Sequence, residues 1–396
     1  ELIDQIRKCP DEGTRNMLVE SLSRRITLLS EVPLAKELRD GLTDPEKSPF
    51  LTEEVVLSPL GSRLFLAFSE VNPEACAAAL HRMIEYKSDE EVIGLNPARR
   101  NLAWALDHLA FDARSFRNAM LTLARFSLVE TEGRISNNTT GLFVDRYAIF
   151  LPGTEVNLQE RINLINELID DSRYDVLIKK SLLRGLQSGH FHRSGGAEKQ
   201  GTKTLEDYVP KLAEVKDYYS ACLKMLLEKA KSREDEDDIA KALVENARGY
   251  YISGLEDFLF EGLELIAPKK DFVWEEMKEA LAYIIQYDIK KKGDIHADEI
   301  RLWHSKLTKD DYVYKLLHIE KDILRHYNLS HEESLKLIDE QYRKMAKELV
   351  DNQLYQNSDI VAGIFRCKGF LINRFGVELS QYSKSKGVQK EILDVI

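Results

Sequence analysis

The amino-acid sequence predicts an all-α protein, an irregular array of αα-hairpins of the general kind found in tetratricopeptide (TPR) and HEAT solenoids. Three observations predict it. Helix-start signals recur in which an N-cap residue precedes a proline, as at Ser58-Pro59, Asn72-Pro73 and Asn96-Pro97. Apolar residues after these signals recur at i, i+4 and i+7, on one helical face. Alternation of apolar and polar residues never persists beyond about five positions, so strands are not expected to dominate.

Residues 58–230 are predicted to form a series of helix pairs. Leu102, Leu106 and Leu109 lie on one face of the helix after Asn96, and a second helix with the same pattern follows Asp112. The pairs begin near positions 58, 96, 137 and 172, a spacing of roughly 35 to 41 residues that is typical of two-helix repeats, which bury their apolar stripes by stacking. The consensus residues of TPR and ankyrin repeats are absent. We therefore expect an irregular array.

Two further regions flank this array. Residues 1–57 include an amphipathic helix at 13–29 and are interpreted as a helical cap or a linker from a preceding domain. The charged run KSREDEDD at 231–238 indicates a solvated turn or helix start, and it separates a C-terminal region, residues 231–396. That region is predicted to contain longer helices, at 237–267, 272–292, 309–327, 331–350 and 357–375. Because the chain begins with Glu1 rather than methionine, we expect it to be part of a longer protein.

Composition excludes several classes of function. Hydrophobic residues make up 43% and charged residues 31% of the 396 residues, and no apolar run approaches the ~20 residues that a membrane helix needs, so no membrane partner is expected. The net charge of −11 argues against nucleic acid as a partner, because non-specific binding needs a basic face. The four cysteines are far apart and form no CxxC pair, which predicts a reducing, cytoplasmic location.

The stretch most suggestive of chemistry is LQSGHFHRSGGAEKQGTKTLEDYVP, residues 186–210. Gly196 and Gly201 have Walker A spacing, but Thr202 stands where the lysine is required, so no phosphate loop is predicted. His190 and His192 lack further ligands at a recognised spacing, so no metal site is predicted. No nucleophile elbow or dinucleotide-binding loop occurs elsewhere. We interpret the stretch as a loop and predict that the chain has no cofactor and no enzyme activity of its own.

The loop and several tyrosines are instead candidates for binding a partner. The loop concentrates aromatic and cationic groups where no apolar periodicity would bury them, and tyrosine is enriched at recognition surfaces. The alternative is that the tyrosines fill the seams between helices. The predicted partner-binding residues are His190, Phe191, His192, Arg193, Lys199, Tyr250, Tyr251, Tyr283 and Tyr287.

Two segments resemble helical regions downstream of the ATPase in bacterial STAND-class, NLR-like antiviral proteins. They are LNPARRNLAWALDHLAFDARSFRNAMLTLARFS at 95–127 and ISNNTTGLFVDRYAIFLPGTEVNLQERINLI at 135–165, and the likeness covers about residues 90–215. In that family an effector and a nucleotide-binding oligomerisation module precede a helical-repeat sensor that binds a viral protein. Neither preceding module is visible in this chain.

The resemblance implies that the chain is the ligand-sensing domain of a larger antiphage defence NTPase, binding a phage protein and oligomerising through the missing ATPase module. A helical interaction scaffold or adaptor without a defence role is the alternative. An all-α enzyme with an unrecognised site is a third interpretation, which a cleft gathering His304, His318 and carboxylates would favour.

We predict that replacing residues 188–203 by a short Gly-Ser linker leaves the fold nearly intact and impairs recognition, because loops tolerate changes of length at small entropic cost. The measurements are the thermal stability of the variant and phage resistance conferred by the full-length protein at equal abundance. Loss of the fold would mean that the segment is packed into the core, and unchanged resistance would mean that it only connects helices.

Overall fold

The computed structural model confirms the predicted all-α class for the residues that it describes. It describes residues 51–130 except 97, 138–189, 199–200, 203–269, 274–289, 296–307, 311–326, 329–366 and 372–395, and before these 8–11, 13, 14, 17, 43, 44, 48 and 50. The predicted helix at 13–29 lies largely outside these residues. The described part contains nineteen α-helices and one antiparallel ladder of two short strands. None of the described helices is both long and apolar enough to cross a membrane.

The chain divides into two compact units, Glu1–Ala242 and Leu243–Ile396, with the division inside a continuous helix. The predicted region boundaries at 58 and 231 stay predictions. The helices of the first unit are α1 Glu53–Val56, α2 Gly61–Val71, α3 Pro73–Ile84, α4 Asp89–Gly94, α5 Ala98–Leu109, α6 Phe116–Ser127, α7 Thr139–Asp145, α8 Leu158–Leu168, α9 Asp175–Gly185 and α10 Leu212–Lys229. The strands are β1 Lys199–Gln200 and β2 Lys203–Thr204.

Side-chain caps confirm several of the predicted helix starts. The Asn72 side chain accepts a hydrogen bond from the third residue of α3, which has Pro73 at its first position. Asn157 caps α8 in the same way. Ser330 and Glu333 form a reciprocal capping box at the start of the helix predicted for residues 331–350. These starts are decided locally, which is why the sequence reveals them.

Helices of the first unit pack as pairs. Helix α2 contacts α3, and α5 contacts α6. The first pair then lies on the second, because α2 contacts α5 and α3 contacts α6. Farther along, α7 contacts α9 and α8 contacts α10, and the two halves of the unit are joined by α6 and α7, which are consecutive in the chain.

A non-helical segment at 146–157, between α7 and α8, is held by buried hydrogen bonds. The Arg161 guanidinium is fully buried and donates to the carbonyl oxygens of Val156, at 2.7 and 2.9 Å, and of Ala148, at 2.9 Å. The hydroxyl of Tyr218, on α10, donates to the Tyr147 carbonyl oxygen at 2.8 Å. These bonds satisfy backbone acceptors that no helix serves. Burial lowers the pKa of Arg161 to about 10, so the guanidinium stays charged at neutral pH.

Helix α9 crosses α10 at close range. A Cβ atom added at Gly185 would lie 2.9 Å from the sulphur of Cys222 and 3.1 Å from the hydroxyl oxygen of Tyr218. Both of those residues are buried. The absence of a side chain at Gly185 therefore permits this crossing.

The second unit contains the end of α11, Arg233–Ile252, and eight further helices. They are α12 Glu256–Ile266, α13 Glu275–Tyr287, α14 Ala297–Lys306, α15 Tyr312–His326, α16 His331–Asp351, α17 Ser358–Arg366, α18 Ile372–Lys386 and α19 Gln389–Val395. Helix α13 contacts α14 and α15, α15 contacts α16 and α17, and α18 contacts α16 and α19. The last five of these helices share one apolar core, with Ile338, Tyr342 and Leu349 among its most buried members.

The predicted single helix at 237–267 is wrong, because the chain turns in its middle. Gly254 adopts a left-handed conformation, with φ of 80°. The amide of Leu255 donates to the Tyr250 carbonyl at 2.9 Å, and the Gly254 amide donates to that of Tyr251 at 3.3 Å. This is a Schellman C-cap, for which glycine is the favoured residue. Helix α11 therefore ends at Ile252, and α12 begins at Glu256.

We predict that truncating Leu106, Met120 or Ile162 to Ala lowers the free energy of unfolding by about 2 to 5 kcal/mol, because each leaves a cavity. Leu106 and Met120 are fully buried and Ile162 is 6% exposed. Chemical denaturation measures the change, with Val176→Ala, a substitution at a 65% exposed position, as the control. Costs below about 0.5 kcal/mol at all three positions would contradict this assignment of the helix faces.

Candidate functional site

Two of the predicted partner-binding tyrosines form an exposed pair on α13. The rings of Tyr283 and Tyr287 have centroids 4.5 Å apart, and the residues are 45% and 44% exposed. Their spacing of i, i+4 places them on the same face of the helix. The guanidinium carbon of Arg248, from α11, lies 4.8 Å from the centroid of the Tyr283 ring, within the range of a cation–π interaction. We call Arg248, Tyr283 and Tyr287 the tyrosine patch.

Asp288 fixes the guanidinium in this position. Its carboxylate is buried and accepts two hydrogen bonds from Arg248, at 2.8 and 3.1 Å. Such a bidentate pair restrains the orientation of the guanidinium as well as its position. The hydrogen bond to Asp288 raises the pKa of Arg248, a shift that burial opposes. The patch therefore presents two aromatic rings and one oriented cation to the surface.

The structure corrects the prediction for Tyr250 and Tyr251. Both side chains are fully buried, and the ring of Tyr250 meets that of Phe258 edge-on with centroids 4.9 Å apart. They lie in the last turns of α11, where the Schellman turn folds α12 back against them. The alternative interpretation, that tyrosines fill the seams between helices, holds for this pair.

Only the end of the predicted binding loop is described. His190, Phe191, His192 and Arg193 lie outside the described residues, as do Gly196 and Gly201. Lys199 belongs to β1, whose backbone pairs with β2, so that Lys199 lies opposite Thr204. The partner-binding role of these residues stays a prediction.

The segment after β2 is anchored in the core of the first unit. Leu205 is 6% exposed and packs against Phe111. The amide of Tyr208 donates to the Thr154 carbonyl at 2.9 Å, and the Asp207 carboxylate accepts from the amide of Gly153 at 2.6 Å. The loop therefore returns to the same non-helical segment that Arg161 holds.

Helices α13 and α15 meet at a seam of titratable side chains, which we call the polar seam. Lys278 is buried, and its ammonium nitrogen lies 3.4 Å from both the Tyr314 hydroxyl and the Asp322 carboxylate. His318 stacks on Tyr314 with centroids 4.0 Å apart, donates from Nδ1 to the Tyr314 carbonyl at 2.8 Å, and has Nε2 3.4 Å from Glu275. Tyr314 also donates to Glu275.

The enzyme interpretation required a cleft that gathers His304, His318 and carboxylates, and the seam contains His318 together with carboxylates. The groups contact one another across two packed helices, and among the described residues no group of three or more His, Cys, Asp and Glu side chains is arranged to hold a metal ion. His304 is not among the charged partners of His318, which are Glu275, Lys278, Lys321 and Asp322.

Sequence reasoning missed Arg248 and Asp288. These two residues are 40 positions apart in the sequence, so no local pattern links them. The signal available in the sequence was the i, i+4 spacing of Tyr283 and Tyr287. Tertiary folding then brings Arg248 and Asp288 beside these tyrosines. Comparison of this chain with protein-family models, with curated proteins and with solved structures finds no match.

We predict that the protein loses stability on acidification from about pH 7 to 5.5. Burial lowers the pKa values of His81, His108 and His318 from 6.5, with nearby charges of both signs as smaller influences. Because the folded state then favours neutral imidazole, this contribution is fully present above about pH 6.5 and is lost as the pH falls toward the folded-state pKa values.

The measurement is the free energy of unfolding across this pH range. Replacing the three histidines by glutamine should flatten the profile, whereas His331→Gln, at an exposed position, should not. A protein more stable at pH 5.5 than at pH 7 would contradict the prediction and indicate that the contact of His318 with Glu275 dominates.

Proposed function

We propose that this chain is a helical-repeat protein-recognition domain, the ligand-sensing part of a larger bacterial antiphage NTPase of the STAND class. Its ligand is a phage protein, and the tyrosine patch is part of the surface that binds it. The domain itself carries no catalysis. Oligomerisation occurs through the ATPase module of the full-length protein, in the cytoplasm.

The tyrosine patch is the observation that carries this proposal. Tyrosine and arginine are enriched among the residues that dominate binding energy at protein interfaces, because they offer large contact areas and directional polar groups. In the patch the two rings contact each other at an interplanar angle of 45°, and Asp288 holds Arg248 in place. A surface organised before binding loses less conformational entropy when the partner arrives.

Packing of the first unit supports the solenoid part of the proposal. The contacts of α2 with α5, of α3 with α6, of α7 with α9 and of α8 with α10 are those expected when successive helix pairs stack. We infer an irregular TPR- or HEAT-like array on this basis. The buried, unpaired thiols of Cys76 and Cys222 suit a reducing cytoplasm, since burial raises the pKa of both thiols and so disfavours the reactive thiolate.

A helical scaffold or adaptor is the second candidate, because the patch would serve any protein partner equally well. The two candidates differ in what surrounds the domain. A STAND-class ATPase module encoded upstream, together with phage resistance that depends on the patch, favours the sensor. Binding of a host protein through the patch, without resistance, favours the scaffold.

We predict that Tyr283→Ala combined with Tyr287→Ala abolishes phage resistance conferred by the full-length protein while leaving the fold intact. Both residues are nearly half exposed, so truncation costs little stability, whereas loss of a central aromatic pair typically weakens an interface by about 2 kcal/mol or more. Plaque counts at equal protein abundance and the thermal stability of the purified domain are the two measurements.

Tyr86→Ala is the matched control, because Tyr86 is 87% exposed and lies in the first unit. The control variant should retain resistance. Full resistance in the double variant would refute a role of the patch in sensing, and equal loss in both variants would point to a general defect.

A further inference from the structure

The first unit contains a groove between three of its helices. It has a volume of about 390 Å³ and is lined by α9 from Asp175 to Leu183, by the end of α10 and by the first turns of α11 as far as Ile239. Its floor is apolar and buried, with Ile178, Leu182, Leu226 and Ile239 all less than 5% exposed. Val176 stands on its rim and is 65% exposed. We call this surface the lysine groove.

Lysines line the groove on opposite sides. Lys179 and Lys180 come from α9, and Lys229 and Lys231 come from the end of α10 and the turn that follows it. The three aspartates of the rim are already engaged by lysines. Lys179 lies 2.7 Å from both Asp235 and Asp238, and Asp175 lies 2.7 Å from Lys231 and 3.6 Å from Lys229.

The side chains that line the groove carry one more positive than negative charge. Four lysines face three aspartates, in a chain whose net charge is −11. Asp235 is the most strongly held, because Lys179, Ser232 and the Lys231 amide all donate to it and hold its pKa well below the usual range. Lys180 is exposed. An acidic occupant is therefore favoured over a basic one.

The dimensions of the groove suit a short helix. The lining of α9 runs from residue 175 to 183, which at 1.5 Å per residue corresponds to about 12 Å. Apolar side chains at i, i+3 and i+7 of a second helix cover about 10 Å, and recognition of a helix in a groove uses such anchors. The volume is large enough for a few aliphatic side chains.

We propose that the lysine groove binds an acidic amphipathic helix of a protein partner, whose apolar side chains enter the groove and whose flanking carboxylates meet the lysines of the rim. Burial of apolar surface supplies the affinity. The exposed charges contribute little energy but select the sign of the partner. This proposal shares with the proposed function only the premise that the partner is a protein.

The test uses the whole chain and three synthetic helix-forming peptides of about 15 residues. The first has leucines at i, i+3 and i+7 with flanking glutamates, the second has lysines in place of the glutamates, and the third has serines in place of the leucines. Fluorescence anisotropy measures binding at low and physiological salt. Only the acidic leucine peptide should bind well, and its affinity should fall as salt increases.

Two variants test the location. Val176→Glu and Lys180→Glu should each weaken binding of the acidic peptide by about tenfold, because both place a carboxylate at the rim. Their matched controls, Val377→Glu and Lys344→Glu, make the same changes at exposed positions of the second unit and should leave binding unchanged. Circular dichroism confirms that all four variants remain folded.

Several outcomes would overturn the proposal. Equal binding of the acidic and basic peptides, or no effect of Val176→Glu, would exclude the groove as an acidic-helix site. Binding of a fluorescent fatty acid without binding of any peptide would assign the groove to a small amphipathic anion, and self-association lost in Val176→Glu would assign it to a second copy of the chain. Because these measurements need no phage, failure of the tyrosine-patch experiment leaves them interpretable.

Discussion

A buried cation, the guanidinium of Arg161, holds the non-helical stretch of the first unit between α7 and α8. It serves the carbonyl oxygens of Val156 and Ala148, at the two sides of the stretch where the chain leaves helical geometry between α7 and α8. Leu151 and Gly153 have positive φ in this stretch, so its backbone cannot satisfy itself by helical bonding. Hydrogen bonds from a charged donor are worth about 1.5 to 3 kcal/mol each, and Arg161 donates three of them to this stretch.

Other parts of the first unit converge on the same stretch. The carbonyl oxygen of Phe111, in the turn between α5 and α6, accepts from the Glu155 amide, and the segment before α10 pairs with Gly153 and Thr154. The returning end of the predicted binding loop is thereby fixed at one point of the core. This non-helical stretch therefore connects the α5–α6 turn, α8 and the segment before α10.

Both candidate recognition surfaces use an aspartate to place a cation beside apolar surface. In the second unit Asp288 holds Arg248 over the ring of Tyr283. In the first, Asp235 holds Lys179 at the edge of the lysine groove. A cation paired in this way loses less freedom when a partner binds. Among the described residues, this acidic chain thus presents cations at fixed positions beside apolar surface.

The sequence by itself determined the helical class and many helix starts, because caps such as Asn72, Asn157 and Ser330 act on residues within one turn. It also predicted Tyr283 and Tyr287 as partner-binding residues, and the structure places both on the surface. The sequence could not distinguish these exposed tyrosines from the buried Tyr250 and Tyr251. Helical periodicity shows which side chains share a face, but it does not show which face another helix will cover. The turn at Gly254 determines which face of α11 is covered, because it folds α12 onto the end of α11. Arg248 with Asp288, and the lysines with the floor of the groove, are distant in sequence, and only tertiary packing brings them together.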